Sequence, residues 1–197
     1  IDILINNAGY GYFGALEDIP IEEAKRQFEV NIFGLAELIK QVLPSMRKQH
    51  DGKIINVSSM AAYFGEPNGS WYHASKAALD RLSDCLRMEV KSFGIKVVLI
   101  QPGMIETEWS KIAGENLLKT SANSVYASMA NKQAEQMPKM YRLASKPKVV
   151  AKTICKACLK KNPKTRYKTG GYSKQMVFLA QLLPDKWFDA IMLKALN

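Results

Sequence analysis

Short apolar runs alternate with longer stretches whose apolar residues recur at helical spacing, which predicts an α/β sheet with crossover helices. The first run, IDILI at residues 1–5, reads as a buried strand and ends in Asn-Asn-Ala-Gly. Pro20 opens a helical stretch to about Lys48, with Ala24, Phe28, Ile32, Leu35, Leu38 and Ile39 near the helical period. Asp51-Gly52 turns the chain into a strand over 53–58. A loop containing Gly65, Pro67, Asn68 and Gly69 leads to a helix from about Ser70 to Phe93, stopped by Gly94. A third strand spans 95–101 and ends at Pro102-Gly103. Residues 104–147 show no clear period and read as a mobile lid or insertion over a site. A basic helix over 147–161, a short strand near Thr165–Thr169 and two amphipathic helices split by Pro184 within 172–197 follow. No linker or internal repeat divides the chain, so one domain is expected.

Composition narrows the picture. The 197 residues are 47% hydrophobic, enough for one core. No apolar run approaches the roughly 18 residues a membrane span needs, and no signal peptide opens the chain. Three cysteines are too few for a disulfide framework, so a reducing cytoplasm is the expected location. The net charge of +10 is local: Gln136 to Pro184 holds twelve Lys or Arg and no Asp or Glu. Such a block attracts anionic lipid, nucleic acid or a phosphorylated ligand, although a solvated Lys-rich surface is the simpler reading. No helix-turn-helix, zinc-finger or RNA-binding aromatic motif accompanies it, so nucleic acid is not expected. A peripheral membrane contact stays open. The chain starts without Met inside a strand-like run, which reads as a fragment or processed product.

The candidate chemistry centres on Ser-Trp-Tyr-His-Ala-Ser-Lys at 70–76. On a helix, Tyr72 and Lys76 share a face one turn apart. A free tyrosine has a pKa near ~10 and is a poor base at neutral pH. A cation about 4 Å away contributes roughly 4 kcal/mol at an effective dielectric near 20, enough to lower that pKa by up to about three units. That would poise Tyr72 for general acid–base work. Ser59 sits just past the carboxyl end of a strand, where α/β sheets place ligands, and its hydroxyl can donate to a carbonyl oxygen gaining charge. Ser58 reads instead as a strand-end cap. Asn31 lies inside the long helix beside Gly34, and a mid-helix Asn is unfavourable unless its side chain is engaged. It reads either as a kink that holds a water toward Lys76 or as a surface residue.

Asn6-Asn7-Ala8-Gly9, Asn31, Ser59, Tyr72-x-x-x-Lys76 and Pro102-Gly103-x-x-x-Thr107 occur in one order and spacing. Together they resemble the classical short-chain dehydrogenase/reductase family, closely over residues 1 to about 107. The resemblance implies a doubly wound, Rossmann-type α/β fold and reversible hydride transfer between NAD or NADP and an alcohol/carbonyl pair. It makes Tyr72 the acid/base and Lys76 its pKa-lowering neighbour and ribose ligand. Ser59 would steady the substrate oxygen, and Asn31 would anchor a relay water. Asn6, Asn7, Ala8 and Gly9 would line the adenosine side, and Pro102, Gly103, Ile105 and Thr107 the nicotinamide. It also implies a homodimer or homotetramer built on helices such as 20–48 and 70–93. No metal is implied.

Two patterns are set aside. Gly9-x-Gly11-x-x-Gly14 mimics a dinucleotide fingerprint, but no helix starts at those glycines to meet a pyrophosphate. Cys155-x-x-Cys158 lacks further metal ligands nearby and reads as partly buried packing. His73 is expected on another helix face and receives no role. The family's glycine-rich phosphate loop is absent, as are its first βα units, so IDILI corresponds to the fourth strand and this chain is expected to be inactive alone. The apolar residues of 104–147, with Phe178, Leu182, Trp187 and Phe188, suggest an apolar alcohol, ketone or aldehyde. The C-terminal sequence resembles the retinol and hydroxysteroid dehydrogenase-like branch. The rival readings are a non-catalytic binding protein on the same fold and an extended-branch epimerase or dehydratase.

Overall fold

β-Branched residues and near-continuous burial of the two central strands build one parallel sheet. The computed structural model describes residues 1–196. Strands β1 (Ile3–Asn6), β2 (Gly52–Val57), β3 (Ile95–Pro102) and β4 (Arg166–Thr169) lie side by side in that order, all parallel. The register pairs Ile54 with Val97 and Ile55 with Val98. Side chains alternate across a strand, so these two rows feed opposite faces. Ile54 and Val97 meet Ile39 and Met46 of α2 (Leu35–Gln49) and Leu79 and Leu86 of α3 (Ser70–Glu89). Ile55, Val98 and Ile100 meet Ala157 of α6 (Pro147–Leu159) on the other face. The result is a Rossmann-like α/β arrangement with helices on both sides of a parallel sheet, which such sheets require.

Four expectations need correction. β1 is not buried: Ile3 and Ile5 are 38% and 45% exposed, because the strand pairs with β2 on one side and has no neighbour on the other. The helix from Pro20 is not continuous. α1 (Ile21–Phe28) and α2 are joined by a π-helical turn over Glu29–Gly34, with Asn31 buried inside it. Residues 104–147 are folded rather than irregular. They form α4 (Trp109–Ser121) and α5 (Ala127–Tyr141), whose Ala113, Leu117, Ala130 and Met137 pack with Phe13 and Tyr72. Their period escaped the pattern because each helix buries only a narrow stripe of Ala, Leu and Met. Finally, Cys155 is exposed and only Cys158 is half-buried, so the pair is not a packing unit.

The chain closes with α7 (Ser173–Leu182) and α8 (Asp185–Lys194), with Pro184 just ahead of α8. Val177 and Phe188 are the buried apolar residues that hold these two helices to the body. Among the described residues no helix is long and apolar enough to cross a membrane, and no group of His, Cys, Asp or Glu could hold a metal ion.

Candidate active site

The carboxyl ends of the strands deliver the candidate residues to one edge. Asn7 follows β1, Ser58 and Ser59 follow β2, and Gly103 follows β3. Helix α3 begins at Ser70, so Tyr72 and Lys76 occupy its first two turns and face the same edge. A cavity of about 710 Å³ opens there. Asn7, Gly9, Ser59, Tyr72, Lys76, Pro102, Gly103, Ile105 and Thr107 all line it. Its far wall comes from α4, α5, α6 and α8, through apolar residues such as Trp109, Met137, Ile154 and Met192. The cavity lining is mostly apolar, with the candidate polar residues gathered on the sheet side and Glu66, Glu108 and Gln133 elsewhere on it.

Three of the expected residues do not line the cavity: Asn6 and Asn31 are buried behind it, and Ala8 is exposed. Asn6 donates its amide to Asn56 Oδ1 at 2.8 Å and braces β1 against β2. Ala8 does not line the cavity. Asn31 accepts a hydrogen bond from Tyr10 N–H at 3.1 Å and donates to Tyr10 O and Ser75 Oγ, each at 3.0 Å. Its amide thus ties the loop after β1 to α3, and a relay water would have to use the remaining lone pair of Oδ1. The π-helical turn turns this Asn inward, which explains a mid-helix Asn that the helical period alone does not.

Ser59 caps the short 3₁₀ turn Met60–Ala62, where its Oγ accepts from Ala61 N–H at 3.1 Å. The same hydroxyl acts on Tyr72 in the direction that favours the tyrosinate. Burial outweighs it, and with the Glu66 carboxylate nearby the Tyr72 pKa is pushed up to about 12. The expected lowering by Lys76 does not occur. Burial brings the Lys76 ammonium down to about 8, partly countered by Asp80, and its Nζ donates to Val57 O at 3.2 Å. That nitrogen sits 6.0 Å from the centre of the Tyr72 ring. The desolvation that isolates the pair costs both of their charged forms.

Gly9 keeps the approach to this lysine open. A Cβ there would lie 3.1 Å from Asn31 Oδ1 and 3.3 Å from Lys76 Nζ. Gly11 has a packing reason: its Cβ would meet Trp109 at 2.8 Å and the Tyr72 ring at 3.1 Å. This agrees with setting aside the glycine pattern, since α1 begins only at Ile21.

Sequence reasoning missed His73. It lines the cavity and is 7% exposed. Its Nδ1 faces the carbonyls of Ala61 and Phe64, and its Nε2 lies 3.4 Å from Glu66 Oε1. Burial lowers its pKa, but the Glu66 carboxylate and the two carbonyls raise it more, and the net direction is upward. His73 thus fixes the loop after Ser59 against α3. Nothing in the spacing of Glu66 and His73 signals this pairing. Also unforeseen is the buried ladder behind the site, in which Gln101 donates to Asp80 at 2.6 Å and Ser58 donates to Lys76 O at 3.5 Å.

Known proteins share this arrangement. The family model for short chain dehydrogenase matches residues 1–118. The chain is 40% identical over 190 residues to the probable short-chain type dehydrogenase/reductase VdlC of Helicobacter pylori, covering 96% of this chain and 69% of that protein. It is 41% identical over 170 residues to the 3-ketodihydrosphingosine reductase of Bacteroides thetaiotaomicron, covering 86% of this chain and 63% of that protein. The crystal structure of a short-chain dehydrogenase from Streptomyces avermitilis superposes with a TM-score of 0.74 at 26% identity, covering 98% of this chain and 66% of that one. The chain thus spans about two thirds of the length of these proteins.

Proposed function

The chain belongs to the short-chain dehydrogenase/reductase family of NAD- or NADP-dependent oxidoreductases, and from that premise we propose that it carries the catalytic half of a carbonyl reductase acting on an apolar ketone. The observation that carries the reading is that Ser59, Tyr72 and Lys76 line one cavity together, and that the rest of its lining is mostly apolar. A ketone in that cavity sets its oxygen between the Ser59 and Tyr72 hydroxyls. Ser59 donates to the oxygen as charge builds, and Tyr72 Oη delivers the proton. A tyrosine pushed up to about 12 is held in the protonated form that can donate to an alkoxide. The bound cofactor supplies the hydride. The residues present fit its nicotinamide end: Lys76 Nζ for the ribose hydroxyls, the gap at Gly9 for close approach, and Pro102, Gly103, Ile105 and Thr107 along the ring. Lys76 holds and orients that ribose, and its charge supports the tyrosinate left after proton transfer.

The apolar far wall suits a long-chain ketone, in keeping with the name of the Bacteroides relative. Residues 104–147, as α4 and α5, form the wall that excludes water. Exposed Val30, Phe33, Leu38 and Met88 supply apolar surface for a homo-oligomer. We further expect the 197 residues assayed alone to turn over no substrate. Ile3 and Ile5 stand at an open sheet edge, and Gly9, Gly11 and Gly14 after β1 precede α1, which begins only at Ile21, so they do not form a helix N-terminus for a pyrophosphate.

The test is Tyr72→Phe, in a chain that also carries the third of the relatives' length not spanned here. Reduction of a long-chain ketone by NADH or NADPH should fall by about 10²–10⁴-fold, with nucleotide binding retained. Turnover left within a few fold of the parent would remove Tyr72 as the proton donor.

A further inference from the structure

The last two helices carry more apolar surface than the body of the protein uses. Val177 and Phe188 are buried and suffice to seat them. Phe178 and Leu182 of α7 are 61% and 64% exposed, and Trp187 and Ile191 of α8 are 67% and 45% exposed. Each pair is four residues apart, so each lies along one helix face. Between the pairs runs the Leu183-Pro184 corner. Isolated exposed apolar residues are ordinary, but four large ones on adjoining helices form a surface that water does not favour.

Helix α6 supplies the complementary feature. Lys148, Lys152 and Lys156 recur every four residues on its outer face, all exposed and none in an ion pair among the described residues. The inner face of the same helix, through Pro147, Val150, Ala151 and Ile154, lines the cavity. Helix α8 also lines it through Met192, and Ala195 and Leu196 just after the helix do the same. The two helices that wall the cavity thus present a lysine stripe and exposed aromatic and aliphatic side chains on their outer sides. From Gln136 to Pro184 the sequence holds twelve cationic side chains and no carboxylate; Glu106 pairs with Lys146 and Asp84 with Arg166, and α8 adds Asp185 and Asp189 beside Lys186 and Lys194, so the face keeps a net positive charge.

We propose that this face, α6 with α7 and α8, docks on the surface of an anionic lipid bilayer, which sets the apolar cavity against the membrane. Charge decides between occupants. A protein partner or a second copy of the chain would cover apolar surface equally well, but a second copy would set the unpaired lysines of α6 against the same net positive face. A bilayer with anionic headgroups satisfies the lysines, and its acyl boundary takes Trp187, Phe178, Leu182 and Ile191. No span is needed, since an amphipathic surface lies in the interface rather than crossing it. The inference rests on the apolar-substrate reading only for its purpose: a long-chain ketone would pass between bilayer and cavity without entering water. The docking itself is measured without turnover.

The test is co-sedimentation of the 197-residue chain with vesicles of equal parts phosphatidylglycerol and phosphatidylcholine, against phosphatidylcholine alone. Binding is expected to the mixed vesicles, falling by about tenfold or more when salt rises from 0.1 to 0.5 M. The triple variant Lys148→Glu, Lys152→Glu, Lys156→Glu should bind at least about tenfold more weakly. The pair Phe178→Ala, Trp187→Ala should also lose binding while keeping its thermal midpoint, because both side chains are mostly exposed. Ile3→Lys, at the open sheet edge, should bind like the parent. Three results would overturn the proposal: no sedimentation with either vesicle, equal binding to neutral vesicles, or binding lost in Ile3→Lys but kept in Phe178→Ala, Trp187→Ala. So would a concentration-dependent dimer abolished by Trp187→Ala in a chain that ignores vesicles, which would make the face an interface between copies. Because no cofactor or ketone is present, failure here leaves the reductase reading standing.

Discussion

Lys76→Met should make this protein more stable at neutral pH. Lys76 is 6% exposed, and burial brings its ammonium from the ordinary 10.5 to about 8. At ~1.36 kcal/mol per pH unit, keeping it charged in the folded state at pH 7 costs about 3 kcal/mol. Methionine has nearly the same length and no charge. It also forfeits the hydrogen bond to Val57 O, worth about 1 kcal/mol. The net expectation is a gain of about 2 kcal/mol in urea unfolding at pH 7. The sign of the pH dependence is a second check. The folded pKa is depressed, so between about 8 and 10.5 the unfolded chain holds the proton that the folded chain has released, and stability climbs with pH through that window. Tyr72, raised to about 12, opposes this only above pH 10, where the unfolded tyrosine ionises first. Urea titrations at pH 7 and 9.5 should show the parent gaining about 2 kcal/mol and the variant nearly flat. A Lys76→Met chain that is less stable than the parent at pH 7, or a parent whose midpoint does not move, would refute the argument. The refutation would mean that Lys76 is solvated or paired in solution.

Other outcomes follow from the same geometry. Asn31→Ala removes the acceptor and donor that hold both backbone groups of Tyr10, so chemical unfolding should show a loss of about 2 kcal/mol; a change below about 0.5 kcal/mol would mean the loop after β1 is held otherwise. His73 has its pKa raised, so its share of stability is fully present below about 6.5 and is lost as pH rises through the higher folded value. Glu66→Gln should flatten that decline in thermal midpoints measured from pH 5.5 to 7.5, and an unchanged slope would dissociate the two residues.

Much of the site was legible because its residues sit at chain positions that the topology fixes. A strand end places Ser59, and a helix start places Tyr72 and Lys76 four residues apart on one face. Two features were not legible. The first is the electrostatic state of the pair. Spacing brings a lysine near a tyrosine, but the sign of the tyrosine's shift depends on how much water reaches them. Here Phe13, Trp109 and Tyr141 close over Tyr72 from distant segments, with ring centres of Phe13 and Trp109 at 5.7 and 5.2 Å from it. The second is the π-helical turn, since a period of 3.6 residues cannot announce one extra residue per turn. Both point the same way. The burial that lowers Lys76 makes its ammonium costly to hold in the folded state at neutral pH, a cost that packing alone would never select. A buried lysine flanked by apolar aromatic walls makes physical sense where its ammonium meets a partner that arrives from outside, and the missing side chain at Gly9 leaves space beside that nitrogen.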